Sequence, residues 1–560
     1  MANDYDIGKA FQAIEDELMA SMVRNMKRHR AWEDAEGMHW EQWQALQLKS
    51  LEKYKKDNQK RFKGQFKDIN KEIESLIYVA HQQGGMDQEK AILRAIKKGF
   101  PAKKVSSGAT AEFFKINDRK LDALIHATTN DMQKAETAVL RMANDKYRKV
   151  IFNAQVYANT GAGTYEKAVD MATKDMLSAG LNCVEYANGA RHTLSDYADM
   201  AIRTASKRAY LQGEGQKRQE WGLHLVIMNK RGNPCPKCLP FVGKVLIDDV
   251  WSGGSKADGD YPLMSSAISA GLYHPRCKDG HTTYFPGIST LPDDKFSKQE
   301  LEEIEVQSKQ EVKQQYIERQ RKKYRRLARY SLNGDNKLKY SLRAKEFEEQ
   351  DIMQGAKGFP DRNTADDYYR NDIESLWEKL SGPERNSLWK YTGPDYADIN
   401  VALRTEVPAT DTVQGYVKNM TAAIRKSRIK ENVWVRRGIS QRGLEKFLDI
   451  DTVNNINDVI GKTFVEKGFM STAVASDAGF EGINLKICLP EGTQAIYAEP
   501  FSRYGGTNNN GTWDGKQKGR YVGSEAEMII QRGSEFRVKS VDTDSDGNIK
   551  EVVLMLIAQI

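Results

Sequence analysis

Two glutamates near the end of the chain have types and spacing that could do chemistry together. Glu525 and Glu527 are separated by a single residue and stand just before the apolar residues Met528, Ile529 and Ile530. Side chains alternate along a β-strand, so this spacing predicts both carboxylates on one face. Carboxylates at such positions do acid–base and charge-stabilising work. Taken alone, however, the pair is more typical of an edge strand that carries charge against aggregation.

Two upstream motifs supply residue types that suit a phosphorylated sugar. Arg436, Arg437 and Gly438 end a β-like run, where a guanidinium can bind a pyrophosphate with two hydrogen bonds and glycine allows close backbone approach. Ser471 and Thr472 end the run Gly-Phe-Met-Ser-Thr, and their hydroxyls could bind a ribose or orient a carboxylate. Each motif is common by itself, so only the combination is informative.

The order Arg, Ser-Thr, Glu-x-Glu resembles the arginine–serine–glutamate class of ADP-ribosyltransferases, the fold of bacterial exotoxins that modify actin and Rho. The resemblance covers residues 370–560. Further segments carry it, namely Tyr391-Thr392-Gly393, Tyr396, Ile399-Asn400 and Ala402-Leu403-Arg404 in the helical part, and CLPEGTQAIY and QRGSEFRVKSV in the strands.

The resemblance implies NAD⁺ as substrate and a division of roles. Glu527 would bind the nicotinamide ribose and stabilise the oxocarbenium-like state. Ser471, with Thr472, would hold Glu527 and the ribose, and Arg436 would bind phosphate. Glu525 would activate the acceptor, and the Glu-x-Glu pattern predicts that this acceptor is an arginine on a host protein. The Gly- and Asn-rich loop 505–524 would recognise that acceptor.

Two positions depart from the pattern of this class. Ala473 stands where the third hydroxyl of a Ser-Thr-Ser motif is usual. Many relatives carry an aromatic residue directly before the working arginine, whereas Trp434 lies two residues before Arg436 and three before Arg437. Either arginine could therefore hold NAD⁺.

A second constellation has the spacing of a metal site. Cys235 and Cys238 form a Cys-x-x-Cys pair, and His274 and Cys277 form a His-x-x-Cys pair after a loop. Three thiolates and one imidazole complete a tetrahedral shell for Zn²⁺, which leaves no open position for catalysis. We therefore expect a structural zinc, with a metal-free or redox pair as the alternative. His281 is a spare candidate that could replace His274.

The segments around these cysteines resemble the minor capsid, or head morphogenesis, proteins of tailed bacteriophages. The resemblance covers residues 1–350 and is carried by GARHTLSDYADMAIRTAS, GLHLVIMNKRGNPCPKCLPFVGKV and GLYHPRCKDGHTTYFPG. It implies a low-copy component inside the phage head, with portal and capsid proteins as partners. It also implies residence in the host cytoplasm during assembly, and delivery with the genome would return the protein there.

Hydrophobic periodicity predicts a multidomain chain. One helical stripe contains Phe11, Ile14, Leu18 and Met22, and a second extends from Phe62 to Ile77. Shorter β-like runs follow, then a charged helix, a Gly- and Pro-containing linker, and an α+β segment. The predicted domains are helical (1–220), a zinc-stapled loop/β module (221–290), a charged helical segment (291–353), a linker (354–368) and an α+β ADP-ribosyltransferase domain (369–560).

Charge and hydropathy exclude other classes. The chain has 85 Lys and Arg against 77 Asp and Glu, a net charge of +8 over 560 residues, which is too dispersed for a dedicated nucleic-acid-binding protein. The basic run 319–326 is either a solvated helix face or a contact to packaged DNA. No apolar run is long enough to predict a membrane span, and acids at the N-terminus argue against a signal peptide.

These observations predict a phage minor capsid protein that carries a mono-ADP-ribosyltransferase acting on host protein. One alternative is a structural head protein whose C-terminal domain keeps the fold without the activity. A second is an NAD⁺ glycohydrolase or a secreted NAD-dependent toxin, in which the first 350 residues would serve delivery.

Overall fold

A computed structural model describes most of the chain and divides it into two compact units, Met1–Lys345 and Glu346–Ile560. The described residues are 4–34, 37–101, 104–105, 110–160, 162–186, 189–230, 237–275, 277–291, 296–405, 407–448, 459–479, 481–503, 525–545 and 547–559.

The first unit is mainly helical. Its helices are α1 (Asp4–Arg28), α2 (Trp40–Lys97), α3 (Thr110–Asn159), α4 (Tyr165–Ala179), α5 (Leu194–Glu220), α6 (Met264–Ser269) and α7 (Lys298–Tyr330), and α8 (Gly334–Gly355) contains the boundary between the units. Two short antiparallel pairs join helices, β1 (Glu33–Asp34) with β2 (Gly37–Met38), and β3 (Val184–Glu185) with β4 (Arg191–His192).

Both predicted stripes are buried between helices. Phe11 and Leu18 of α1 and Phe62 and Ile77 of α2 belong to one core that also includes residues of α3, α4, α5 and α7. Apolar residues at helical spacing stabilise such a bundle by removing one face of each helix from water. Within the described part of the chain, no helix is both long and apolar enough to cross a membrane.

A small antiparallel sheet follows α5 and has its own core. It is formed by β5 (Leu225–Met228), β6 (Val245–Ile247) and β7 (His281–Thr283) in the order β6-β5-β7. Apolar side chains of β5, β6 and α6, including Val226, Leu246 and Met264, pack together there. The β-like runs seen in the sequence thus form strands around the predicted metal ligands.

The second unit begins with helices and continues as a sheet. Its elements are α9 (Arg362–Trp377), α10 (Gly382–Tyr391), α11 (Tyr396–Arg404), α12 (Asp411–Arg425), β8 (Val433–Ile439), α13 (Gln441–Phe447), β9 (Thr463–Glu466), β10 (Met470–Ala473), β11 (Ile483–Leu489), β12 (Ala495–Tyr497), β13 (Glu527–Ile530), β14 (Ser534–Thr543) and β15 (Ile549–Ala558). The predicted order of a mainly helical region followed by an α+β domain is confirmed.

The eight strands form one sheet in the order β12-β13-β10-β8-β11-β15-β14-β9. Only β11 and β15 pair in parallel among these ladders. The three strands that carry the predicted site, β8, β10 and β13, are neighbours although they lie far apart in sequence. The fold therefore gathers the arginine, serine and glutamate motifs on adjacent strands.

The segment 354–368, predicted as a linker, contains the end of α8 and the start of α9. Lys357 and Phe359 form isolated parallel bridges to Val433 and Ala475. The domain boundaries drawn from the sequence stay predictions.

Candidate functional site

The centre of the site is a hydrogen bond between two neighbouring strands. Ser471 of β10 pairs with Ile529 of β13, and its hydroxyl donates to Oε1 of Glu527. Glu527 is 8% exposed, and burial raises the pKa of its carboxyl to about 7. The hydrogen bond from Ser471 and the charge of Arg437 act in the opposite direction, whereas the charge of Glu525 adds to the increase.

The two candidate arginines on β8 have different partners. Arg437 Nη1 donates to the carbonyl of Ser471 at 3.1 Å. The positive charge of Arg437 acts to lower the pKa of Glu527. Arg436 Nη1 donates instead to the carbonyl of Ser476. The structure therefore brings Arg437 beside the serine–glutamate pair and directs Arg436 to the loop after β10.

The two glutamates are not related by simple strand alternation. Strand β13 begins at Glu527, so Glu525 precedes it, and Ala526 between them has a φ of 50°. The expectation that both glutamates belong to one pleated strand is wrong, because a left-handed residue interrupts the extended backbone before β13. Glu525 is exposed while Glu527 is buried, yet the two remain close enough for Glu525 to raise the pKa of Glu527.

A third glutamate, Glu499, is hydrogen-bonded to the backbone turn formed by residues 525–527. Glu499 lies in the short helical turn after β12 and is fully buried. Its Oε1 accepts hydrogen bonds from the backbone N–H groups of Glu525 at 3.1 Å and Glu527 at 2.8 Å. Sequence reasoning missed Glu499, since a single acid in the run Tyr-Ala-Glu-Pro carries no motif.

Side chains from α10 and α11 fix the start of β10. The hydroxyl of Tyr391 donates to the carbonyl of Phe469 at 3.0 Å, and Asn400 accepts from the N–H of Phe469 at 3.0 Å. Arg404 binds both carboxylate oxygens of Glu466 at 2.9 and 3.1 Å. The helical motifs singled out in the sequence thus position the strand that carries Ser471.

Two predicted binding residues are not part of this group. Thr472 is buried, and its hydroxyl donates to the carbonyl of Met528 at 2.8 Å, so it stabilises the ladder between β10 and β13. Gly438 lies further along β8, opposite Asn484 of β11.

The predicted metal ligands also come together, as far as they are described. Ligand atoms of Cys238, His274 and Cys277 lie within 4.8 Å of one another, and the two Sγ atoms are 3.4 Å apart. His274 Nδ1 lies 2.8 Å from the carbonyl of Pro275, which can only accept, so the lone pair of the neutral ring is on Nε2. This donor set fits Zn²⁺. Cys235 lies outside the described residues.

His281, the spare metal candidate, belongs to a separate buried group. Arg218 Nη2 donates to His281 Nε2 and to Asp248 Oδ2, both at 2.9 Å, and His281 Nδ1 lies 2.6 Å from the Tyr273 hydroxyl. Burial, with the charge of Arg218, lowers the pKa of His281. Since arginine only donates, Nε2 of the neutral ring accepts, and this nitrogen is already engaged.

Some basic side chains of the run 319–326 form hydrogen bonds and ion pairs within the first unit. Arg326 donates to the carbonyls of Leu177 and Ser178 at 3.0 and 3.2 Å, and Lys322 pairs with Glu318 at 3.1 Å. Cationic side chains at the C-terminal end of a helix such as α4 interact favourably with its dipole. Part of the charge thus has a structural partner.

Comparison with solved structures finds ADP-ribosyltransferase toxins that match the C-terminal part of the chain. The toxin Plx2a of Paenibacillus larvae is 18% identical with a TM-score of 0.30, and the match covers 36% of this chain and 100% of that one. C3stau2 of S. aureus, solved with NAD, is 21% identical with a TM-score of 0.30 over 37% and 100%. The Clostridium limosum C3 exoenzyme is 22% identical with a TM-score of 0.29 over 37% and 100%. No curated protein matches the chain.

Family models cover almost all of the sequence in two parts. Residues 365–558 match the ADP-ribosyltransferase exoenzyme family, the segment that contains Ser471, Glu525 and Glu527. Residues 5–354, more than half of the chain, match phage minor capsid protein 2. The chain therefore belongs to the phage minor capsid protein 2 family and carries, C-terminal to its capsid part in sequence, an ADP-ribosyltransferase exoenzyme domain.

Proposed function

We propose that the second unit cleaves NAD⁺ and transfers ADP-ribose to an arginine of a host protein. The observation that carries this proposal is the buried Glu527, hydrogen-bonded by Ser471 beside Arg437, with the exposed Glu525 two residues before it. A buried carboxylate can stabilise a cation that develops next to it, and an exposed one can meet a protein acceptor.

The proposed reaction assigns one task to each group. The bond between C1′ of the ribose and the nicotinamide nitrogen breaks, nicotinamide leaves with the electron pair, and Glu527 stabilises the positive charge left on the ribose. An acceptor guanidine nitrogen then forms a bond to C1′ and loses a proton to Glu525. Ser471 orients Glu527.

The arginines have phosphate-binding roles in this proposal. A guanidinium matches a pyrophosphate with paired hydrogen bonds, and the two consecutive arginines of β8 lie beside the serine–glutamate pair and the adjoining loop. We assign Arg437 to the NAD⁺ phosphate nearest the reacting ribose and Arg436 to a second phosphate contact. Thr472 and Gly438 support the strands that carry these residues.

Transfer of labelled ADP-ribose from NAD⁺ to protein in a host lysate tests the enzyme directly. We expect labelled protein and released nicotinamide with the full chain, and neither with Glu527→Gln, which keeps the shape of the side chain but not its charge. No labelling by either protein would favour the alternative of a structural head protein with an inactive domain. Equal labelling by both would mean that the transfer does not depend on the Glu527 carboxylate.

The capsid family of the first unit supports a location in the virion, and we propose the inside of the head near the portal. An enzyme carried there could enter the host cytoplasm with the DNA and act before phage genes are expressed. Mass spectrometry of purified virions tests this. Absence of the protein from virions would favour a secreted toxin.

We also propose that Cys235, Cys238, His274 and Cys277 hold one structural Zn²⁺. The three described ligand residues are close enough to share a metal, and four protein ligands leave no open coordination position. Elemental analysis of protein purified without chelator should find about one Zn²⁺ per chain. Replacing Cys238 by Ser should lower both the zinc content and the stability of this module, with NAD⁺ cleavage retained.

A further inference from the structure

The buried carboxyl of Glu499 is joined to the backbone of both glutamates of the candidate site. Oε1 accepts from the N–H of Glu525 and from that of Glu527, and the next backbone contact, from the Ala498 N–H to the Glu527 carbonyl at 2.8 Å, continues the ladder of β12 and β13. Oε2 is buried and has no hydrogen-bond partner among the described residues. The side chain of Glu499 therefore replaces a missing strand partner at the point where β13 begins.

Only one of these two bonds is needed to begin the strand. The bond to the Glu527 N–H satisfies a donor at the strand end, whereas the bond to the Glu525 N–H reaches across Ala526, whose φ is 50°. N–H groups on both sides of a left-handed residue converge on one acceptor, as in backbone anion-binding turns. A residue other than glycine adopts this conformation only when its surroundings enforce it. Glu499 supplies that constraint.

The turn has a direct effect on where the two site carboxyls lie. Glu527 faces Ser471 inside the protein, while Glu525, on the other side of Ala526, is exposed to solvent. A regular strand would instead place the two side chains on one face at the same depth. The distance and direction between the two carboxyls therefore depend on the backbone held by Glu499.

We propose that Glu499 is a positioning residue that fixes Glu525 relative to Glu527 and so sets how much cleaved NAD⁺ is transferred to an acceptor rather than to water. This inference rests on the proposed function. Glu525 must meet the acceptor nitrogen while the ribose cation is held at Glu527, whereas water needs no such alignment. Loss of the turn should therefore reduce transfer more than hydrolysis.

The neutral acid is the form of Glu499 that suits this role. Burial raises the pKa of Glu499 to about 8, opposed by its hydrogen bond from Glu527 and increased by the charges of Glu527, Asp366 and Glu525. A neutral carboxyl still accepts both N–H bonds through one oxygen and adds no negative charge beside Glu527. Glutamine has the same shape and the same carbonyl acceptor, so Glu499→Gln should preserve the turn.

The experiment compares Glu499→Met, which keeps the volume but has no strong acceptor, with Glu499→Gln in the full chain. Labelled NAD⁺ and host lysate give transfer as protein-bound label and total cleavage as released nicotinamide. We expect the ratio of transfer to hydrolysis to fall about a hundredfold in Glu499→Met, as for a misplaced catalytic group, and to stay near wild type in Glu499→Gln.

Glu349→Met is a matched control, because Glu349 is a buried glutamate of the same unit that binds Arg537 and Lys539 away from the turn. It should lower the melting temperature without changing the ratio. A second measurement needs no turnover: amide hydrogen exchange at Glu525 should be at least about tenfold faster in Glu499→Met and unchanged in Glu499→Gln.

Three outcomes would contradict the proposal in different ways. No nicotinamide release by wild type would overturn the proposed function, and this inference with it. An active wild type whose ratio is unchanged in Glu499→Met would overturn the inference alone. An equal loss in Glu499→Gln and Glu499→Met would show that the carboxyl acts by its charge rather than as the acceptor that holds the turn.

Discussion

Two groups of ionisable side chains, one in each unit, are built on opposite principles. In the first unit Arg218 donates to Asp248 and to the neutral His281, so the buried cation and anion compensate one another. In the second unit Glu499, Glu525 and Glu527 bring three carboxyls together, and the pKa values of Glu499 and Glu527 are raised. Paired charges of this kind serve a fold, whereas clustered like charges cost stability and are typical of sites that do chemistry.

The largest expected effect is on the carboxyl cluster. Glu527→Gln should lower the rate of NAD⁺ cleavage by about a thousandfold, the scale found when one electrostatic group is removed from a transition state. The same change removes a buried acid, so the melting temperature of the second unit should stay the same or rise. Nicotinamide release and calorimetric unfolding measure both quantities. A large fall in melting temperature would mean that Glu527 is structural, like Arg218.

The converse effect is expected in the paired group. Arg218→Met should lower the free energy of unfolding of the first unit by about 3 to 5 kcal/mol, because Asp248 is left buried without its cation. NAD⁺ cleavage by the folded protein should not change. Arg218→Met combined with Asp248→Leu should recover much of the loss, and Arg319→Met, at an exposed arginine of α7, should change stability by less than about 0.5 kcal/mol. Equal destabilisation by Arg319→Met would refute the special role of the pair.

A smaller and more selective effect is expected at the exposed member of the carboxyl cluster. Glu525→Ala should reduce transfer to protein about a hundredfold, as for loss of a general base, and leave most NAD⁺ hydrolysis in place. Because Glu525 is exposed, its removal should hardly alter the melting temperature. Parallel loss of hydrolysis and transfer would contradict the separate roles of Glu525 and Glu527.

The pH dependence should sharpen the contrast between activity and stability. Glu527 must be ionised to stabilise a cation, and its pKa is raised from 4.5 to about 7, so cleavage should rise with pH, with its midpoint at about pH 7, and level off above it. The contribution of the same group to stability has the opposite sign: it is present below pH 4.5 and is lost as pH rises through about 7.

Arg437→Gln should move the midpoint of the pH–activity curve upward, because the charge of Arg437 lowers the pKa of Glu527. An unchanged midpoint would mean that Arg437 does not act on Glu527.

Much of the architecture follows from local sequence. The helical stripes containing Phe11 and Phe62 are buried as their periodicity predicts, and the β-like runs near Val226 and Leu246 form strands. These elements are predictable because one face of each must leave water, a property that appears within a few residues of sequence. The hydrogen bond between Ser471 and Glu527 agrees with their expected partnership.

Features set by distant contacts could not be predicted. Glu499 lies 28 residues before Glu527 and has no motif of its own, and alanine gives no indication of a left-handed conformation at position 526. Spacing could not distinguish Arg436 from Arg437 or exclude His281 as a ligand, since each depends on which partner the fold brings near. Tertiary structure decides such cases against local pattern.

The burial of Glu527 has one consequence for the thermodynamics of NAD⁺ binding. NAD⁺ carries a positive charge on its nicotinamide ring, and a cation placed beside a carboxyl whose pKa is about 7 favours the ionised form. At neutral pH, binding should therefore release part of a proton to the solvent. The heat of binding would then depend on the protonation enthalpy of the buffer, and substrate affinity would itself increase as the solution becomes less acidic.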